Sequence, residues 1–197
     1  MKRAKTISIN DPEIADHLSK ITRYIEAKDS NRPYLMASVF SETAILKMAV
    51  NSDSISFPSD TLGLTAISDL LSRKFNQQYE NIYTFCLTDS FVKENNTLSC
   101  QWWVGMTDKE SKDIKVGYGQ YDWIFDSAES DNIVSSKKVT QLTITIDNMI
   151  VLSPNFTHKV IDWLKELPYP FCESDIFLKT MPAINELEAI RKLAFKD

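Results

Sequence analysis

The side chains of this sequence that could do chemistry are few and widely spaced. His17 and His158 are the only histidines. Neither sits in an HxH or HExxH spacing, so no metal site is expected, and no cofactor either. Cys86, Cys100 and Cys172 are odd in number and lack metal-ligand spacing. They read as buried thiols in a reducing compartment. No GxSxG and no Cys/His pair marks a nucleophile. Gly117-Tyr-Gly119 lacks the third glycine of a dinucleotide loop and falls inside a strand. Asp122 remains as a candidate acid or base. On a strand it faces away from Tyr121 and Trp123, as a solvated or hydrogen-bonded sheet residue. A bulge ahead of it would turn it inward, and burial would then raise its pKa into the range suited to proton transfer.

Composition narrows the classes. A chain of 197 residues with 43% hydrophobic and 25% charged residues suits one globular unit with a sizeable core. The formal charge of −5 disfavours nonspecific nucleic-acid binding, which rests on neutralising phosphates. No stretch approaches the roughly 18 apolar residues that a membrane span needs. The basic start MKRAKTISIN is followed by no apolar run, so a secretory signal is not expected. The cytoplasm is the expected location.

The elements that must position these groups follow from periodicity. Asp11-Pro12 supplies a cap and a first-turn proline, and Ile14, Leu18, Ile21 and Ile25 then recur at helical spacing, with Tyr24 late in the same helix. Pro33 opens a second short helix packed by Leu35, Met36, Val39 and Phe40. A strand follows from Ala44 to Val50, with Met48 pointing inward and Lys47 outward. Ser59-Asp60-Thr61 reads as the cap of a third helix carrying Leu64, Ile67, Leu71 and Phe75. The pattern then alternates: Tyr83, Phe85 and Leu87; Leu98, Cys100, Trp102, Val104 and Met106; and Leu142, Ile144 and Ile146.

Between the last two runs lies Ile114 to Asp126, whose apolar parity changes midway. Ile114, Val116 and Tyr118 lie on one parity, and Tyr121, Trp123 and Phe125 on the other. Either a bulge or burial on both faces explains this, and Gly117 and Gly119 favour a bulge and a sharp bend. Helices followed by meandering strands argue an α+β class. Residues 153–197 add a helix with Phe156, Val160, Ile161 and Leu164, then an aromatic link, then a helix opened by Pro182 with Ile184, Leu187, Ile190 and Leu193. That tail is too small for a second domain and apolar enough to dock on the first.

The phrases RYIEAKDSNRPY, VFSETAILKMAV, GLTAISDLLSRKF, WWVGMTD and GYGQYDWIFD, in this order of elements, resemble the NTF2-like superfamily and its SnoaL-like proteins over residues 11–152. The resemblance implies a cone-shaped, cystatin-like roll, in which a strongly bent antiparallel sheet packs on N-terminal helices around a cavity. In the ketosteroid isomerase branch a tyrosine at the place of Tyr24 polarises a carbonyl and an aspartate at the place of Met48 moves the proton. Here the tyrosine is present and the aspartate is not, and a thioether cannot act as a base. Tyr24 is then a donor in the cavity or a core aromatic with a backbone partner.

The leading expectation is a cavity for a small apolar or aromatic ligand, lined by Tyr24, Met48, Trp102, Tyr118 and Trp123. A second is a cofactor-independent isomerase, cyclase or dehydratase using Tyr24 with Asp122 as a relocated base. A third is a non-catalytic interaction protein. The resemblance also implies a homodimer through the open sheet face, with Trp103 and its neighbours on that parity as the candidate contact.

Overall fold

The computed structural model describes residues 12–126 and 137–194. The expected Asp11 cap and most of the polar loop after Asp126 lie outside the described residues, as does the Leu193 side chain. Helix α1 spans Pro12–Asp29 and buries Ile14, Ile21, Tyr24 and Ile25 on one stripe. A single turn, Pro33–Leu35, leads into α2, Met36–Val39. Strand β1, Phe40–Val50, is longer than its alternation suggested.

Asp60–Leu62 is a short strand, β2, antiparallel to β1, where a helix cap was expected. The helix starts later, behind Gly63 at φ +85°, a conformation that glycine adopts without strain. It runs as α3, Leu64–Ser68, widens by a turn over Asp69–Lys74, and closes as α4, Phe75–Gln78. Then come β3, Tyr79–Leu87; β4, Val92–Glu94; β5, Thr97–Asp108; β6, Ile114–Phe125; and β7, Val139–Leu152. The tail forms α5, Thr157–Glu166; β8, Phe171–Cys172; α6, Ser174–Thr180; and α7, Asn185–Ala194. Helix α6 had no counterpart in the sequence reading. Asp89, just beyond β3 beside β8, caps it, accepting from the Ser174 N–H at 3.0 Å and from its hydroxyl.

The strands form one strongly curved sheet in the order β2-β1-β7-β6-β5-β3-β8, with β4 beside β5. It is mixed rather than wholly antiparallel, because β1 runs parallel to β7 and β8 parallel to β3. Its two faces carry two separate cores. The concave face holds Leu98, Cys100, Trp102, Tyr121, Trp123 and Phe125 against α1 to α4. The other face holds Phe85, Trp103, Ile114 and Val116 against Val160, Leu164, Phe177 and Leu187 of the tail.

This division corrects the expected bulge in β6. Its register with β5 is unbroken from Ile114 to Ile124. The parity changes because the first half of β6 is covered by the tail and the second half by the N-terminal helices. The irregularities lie on β7, where Asp147 is the extra residue between the pairs Tyr118–Asn148 and Gly119–Ile146, and Thr140 between Ile124–Gln141 and Phe125–Val139. Opposite the Asp147 bulge, a Cβ on Gly119 would stand 1.9 Å from the Thr145 carbonyl oxygen, so only glycine fits.

The same covering corrects the expected dimer contact. Trp103 is 1% exposed, stacked on Tyr118 at 5.4 Å and tilted against Phe177 at 4.8 Å. The chain's own tail occupies the surface assigned to a second copy. Among the described residues no helix is long and apolar enough to cross a membrane.

His17 of α1 faces the core. It is 1% exposed and lies flat on Phe125, 3.6 Å between ring centroids. Neither ring nitrogen finds a partner among the described residues. Burial holds its pKa down, from 6.5 to about 4. The unfolded chain therefore binds a proton below pH 6.5 that the folded chain refuses until about 4, and stability falls as pH drops through that window. Glu13, held at about 2 chiefly by Lys137 and Lys93, loses its contribution only at lower pH, between 4.5 and 2. The urea midpoint is expected to decline from pH 6.5 to 4. His17→Phe, which keeps the stack and removes the orphan nitrogens, should flatten that slope and raise the midpoint at neutral pH. An unaltered slope would assign the effect to another group.

Candidate functional site

Helix α1 sets Tyr24 and Lys28 one turn apart, and residues at this spacing share a helix face. Both line a cavity of about 40 Å³ between α1, the wide turn after α3 and the concave sheet. That is room for roughly three waters. The walls are apolar: Met48 from β1, Val104 and Met106 from β5, Ile144 and Ile146 from β7, and Leu71 and Phe75 from the helices. Ile55 and Phe57, on the segment between β1 and β2, close it. Phe57 stacks on Phe75 at 6.4 Å. Ser52 and Ser54 pin this segment by donating to the Met149 carbonyl at 3.2 and 2.5 Å, and Lys115 donates to the Ser54 carbonyl at 2.6 Å. Beyond Ile55, Phe57 and Phe75 lies a wider, more polar pocket of about 360 Å³.

Two donors in the cavity wall have nothing to bond. Trp102 Nε1 and the Tyr24 O–H are buried and donate to no acceptor among the described residues; the Tyr121 phenol faces the Tyr24 oxygen as a donor, which leaves the Tyr24 proton free. Burial is the main reason that the Tyr24 phenol is held far above its ordinary range, so it stays a neutral donor. The Tyr121 phenol, also lining the cavity, is raised for the same reason. Edge-on contacts with Tyr121 at 5.8 Å and Trp123 at 4.9 Å fix the Tyr24 ring.

The polar end of the cavity is an ion pair. Lys28 Nζ lies 2.5 Å from Asp29 Oδ1 and donates to Thr84 Oγ1 at 2.7 Å, and it sits 4.8 Å over the Phe75 ring. Asp29 accepts three further bonds: Thr84 Oγ1 at 2.9 Å, Thr84 N–H at 2.7 Å and the Tyr169 hydroxyl at 3.0 Å. Its side chain is 2% exposed. Every oxygen of Asp29 is therefore engaged, and the carboxylate serves as the counter-ion of Lys28. Tyr169 belongs to the tail, so the segment beyond β7 reaches back to this end of the cavity.

Of the residues expected at a ligand site, Tyr24, Met48 and Trp102 line the cavity. Trp123 does not. It is fully buried behind Tyr24, against Phe40 and Tyr121. Tyr118 lies on the opposite face, in a polar groove with Gln101, Gln120 and Asp147. Asp122 is not brought to Tyr24. With β6 unbulged it faces away from the cavity, and its Oδ1 accepts from Ser99 at 2.6 Å and Gln120 at 2.9 Å. Among the described residues the cavity lining contains no carboxylate and no imidazole. Among the described residues no three His, Cys, Asp or Glu side chains gather as a metal site.

Lys28, Thr84 and the Ile55–Phe57 segment escaped the sequence reading. The four-residue spacing of Tyr24 and Lys28 on an otherwise apolar stripe was the available signal. It was masked because Asp29-Ser-Asn reads as a helix stop.

No protein-family model and no curated protein matches the sequence. Solved structures do match its shape. A hexachlorocyclohexane dehydrochlorinase (LinA, type 2) superposes with a TM-score of 0.52 at 12% identity, over 72% of this chain and 87% of that one. This chain has the NTF2-like fold. A ketosteroid isomerase-like protein from Erwinia carotovora atroseptica shares it with a TM-score of 0.51 at 8% identity, over 69% of this chain and 97% of that one. An NTF2-like superfamily protein from Salmonella enterica serovar Typhimurium gives 0.50 at 9% identity, over 66% and 89%. The NTF2-like fold thus accounts for most of each relative and leaves part of this chain over.

Proposed function

We propose that the protein binds a small, mainly apolar ligand carrying one carbonyl-like oxygen in the cavity beneath Tyr24. The Tyr24 O–H, which donates to no acceptor among the described residues, carries this reading. A buried donor without a partner costs about 1–3 kcal/mol, and a ligand oxygen placed there removes that cost. Trp102 Nε1 adds a second vacant donor. Apolar walls with a few convergent polar groups suit such a ligand. The Lys28–Asp29 pair is neutral overall, which favours an uncharged oxygen over a carboxylate, since burying an unpaired charge is costly.

Proton-transfer chemistry has less support, because the lining offers donors and no base. The dehydrochlorinase and the isomerase-like protein share the fold, and a fold does not choose a chemistry. A homodimer through the sheet would have to use its polar half, around Gln101, Gln120 and Thr143, because the aromatic half is covered by the tail.

Titration calorimetry with acetone and 2-butanone, against butane as the hydrocarbon control, tests the reading. The ketones should bind, and Tyr24→Phe should weaken them roughly two- to tenfold. Equal binding of ketone and hydrocarbon, or no loss in Tyr24→Phe, would overturn it.

A further inference from the structure

A lysine in the wall of an apolar cavity is more than a donor. Its amine is a nucleophile toward carbonyl carbon once a proton is removed. Lys28 is built into such a place: Asp29 lies 2.5 Å from its nitrogen, and Thr84 Oγ1 touches both groups while also lining the cavity. Tyr24, one helical turn away, holds a hydroxyl proton with no acceptor among the described residues.

We propose that Lys28 condenses with a short aldehyde or ketone in this cavity, forming a protonated imine with Asp29 as its counter-ion. The inference rests on the carbonyl-binding reading above and adds a covalent step to it. The ammonium first passes one proton to Asp29. The freed lone pair attacks the carbonyl carbon, and the carbonyl π pair moves onto oxygen, which takes the Tyr24 proton in the same concerted relay that restores it from nitrogen, so the phenol stays neutral. The nitrogen returns a proton to the Tyr24 oxygen, leaving a neutral carbinolamine. The C–O bond then breaks as the Asp29 proton, relayed through Thr84 Oγ1, leaves with the oxygen as water. Ammonium and carbonyl have become protonated imine and water, with no oxidant or reductant needed.

The electrostatics favour this product. A protonated imine carries the same single positive charge as the ammonium it replaces, so the buried pair with Asp29 is preserved. The Phe75 face, 4.8 Å from the nitrogen, attracts either cation. Size sets the substrate class. A cavity of about 40 Å³ holds roughly three waters, the bulk of a three- or four-carbon carbonyl compound.

The test uses the full chain, one equivalent of propanal and sodium cyanoborohydride at neutral pH, followed by peptide mapping. Reduction converts the imine to a stable secondary amine. The expected result is a propyl group on Lys28 ahead of exposed lysines such as Lys112 and Lys179, which are 60% and 73% exposed. Label on the exposed lysines with Lys28 unmodified overturns the inference. Saturation-transfer NMR with 2-butanone reads non-covalent binding separately. Bound ketone with an unlabelled Lys28 would leave the carbonyl site standing and remove the covalent step. No ketone signal and no Lys28 label would remove both.

Discussion

Asp29→Ala should destabilise the protein by about 3–5 kcal/mol, the usual cost of leaving a buried charge without its partner. The substitution strips Lys28 of its counter-ion while Nζ stays enclosed by Thr84 and the Phe75 ring. It also removes the acceptor for the Thr84 N–H and for Tyr169. Urea denaturation checks it, through the fall in midpoint at unchanged slope. The double variant Lys28→Met, Asp29→Leu should recover most of the loss, because replacing a buried pair with apolar residues is often near neutral. A loss below about 1 kcal/mol for Asp29→Ala would mean that the ammonium escapes to water.

Trp103→Ala should cost a comparable amount, about 3–5 kcal/mol, from lost burial and the cavity left behind. Trp103 is the point where β5 meets the tail: Tyr118 stacks on it and Phe177 packs against it. The loss should therefore show as local opening as well, with limited proteolysis cutting within α6 before the rest of the chain. Sedimentation velocity separates this from an interface role. An unchanged sedimentation coefficient with a lowered urea midpoint fits an internal contact. A halved mass at full stability would return Trp103 to a subunit interface.

The outline of the fold was legible because the strong signals were local. The stripe of α1 and the alternation of β5 and β7 appear in the structure where the residue types put them. What was not legible depended on which layer covers which face. In β6 the residue types read as a broken alternation, and glycines made a bulge the simpler account. The cause is a second core, contributed by helices some 45 to 75 residues further along. Asp122 followed from the same point: a bulge would have turned it inward, and an unbroken strand leaves it on Ser99 and Gln120. The cavity lining was half visible. Tyr24 and Met48 came from the family likeness and Trp102 from its strand parity. Lys28 did not, since a lysine beside an aspartate at a helix end reads as solvated until β3 and the tail are seen to enclose it.

The two-sided sheet also has a consequence during synthesis. Trp103, Phe85 and Val116 are made well before the helices that cover them. Until residues 160–190 have left the ribosome, the nascent chain presents an aromatic sheet face with no cover. Such surfaces invite association with other chains. The interval between completing β7 and docking α7 is thus the stage at which this protein most needs a chaperone or a fast tail, and a ribosome stalled in that interval would hold its most adhesive form.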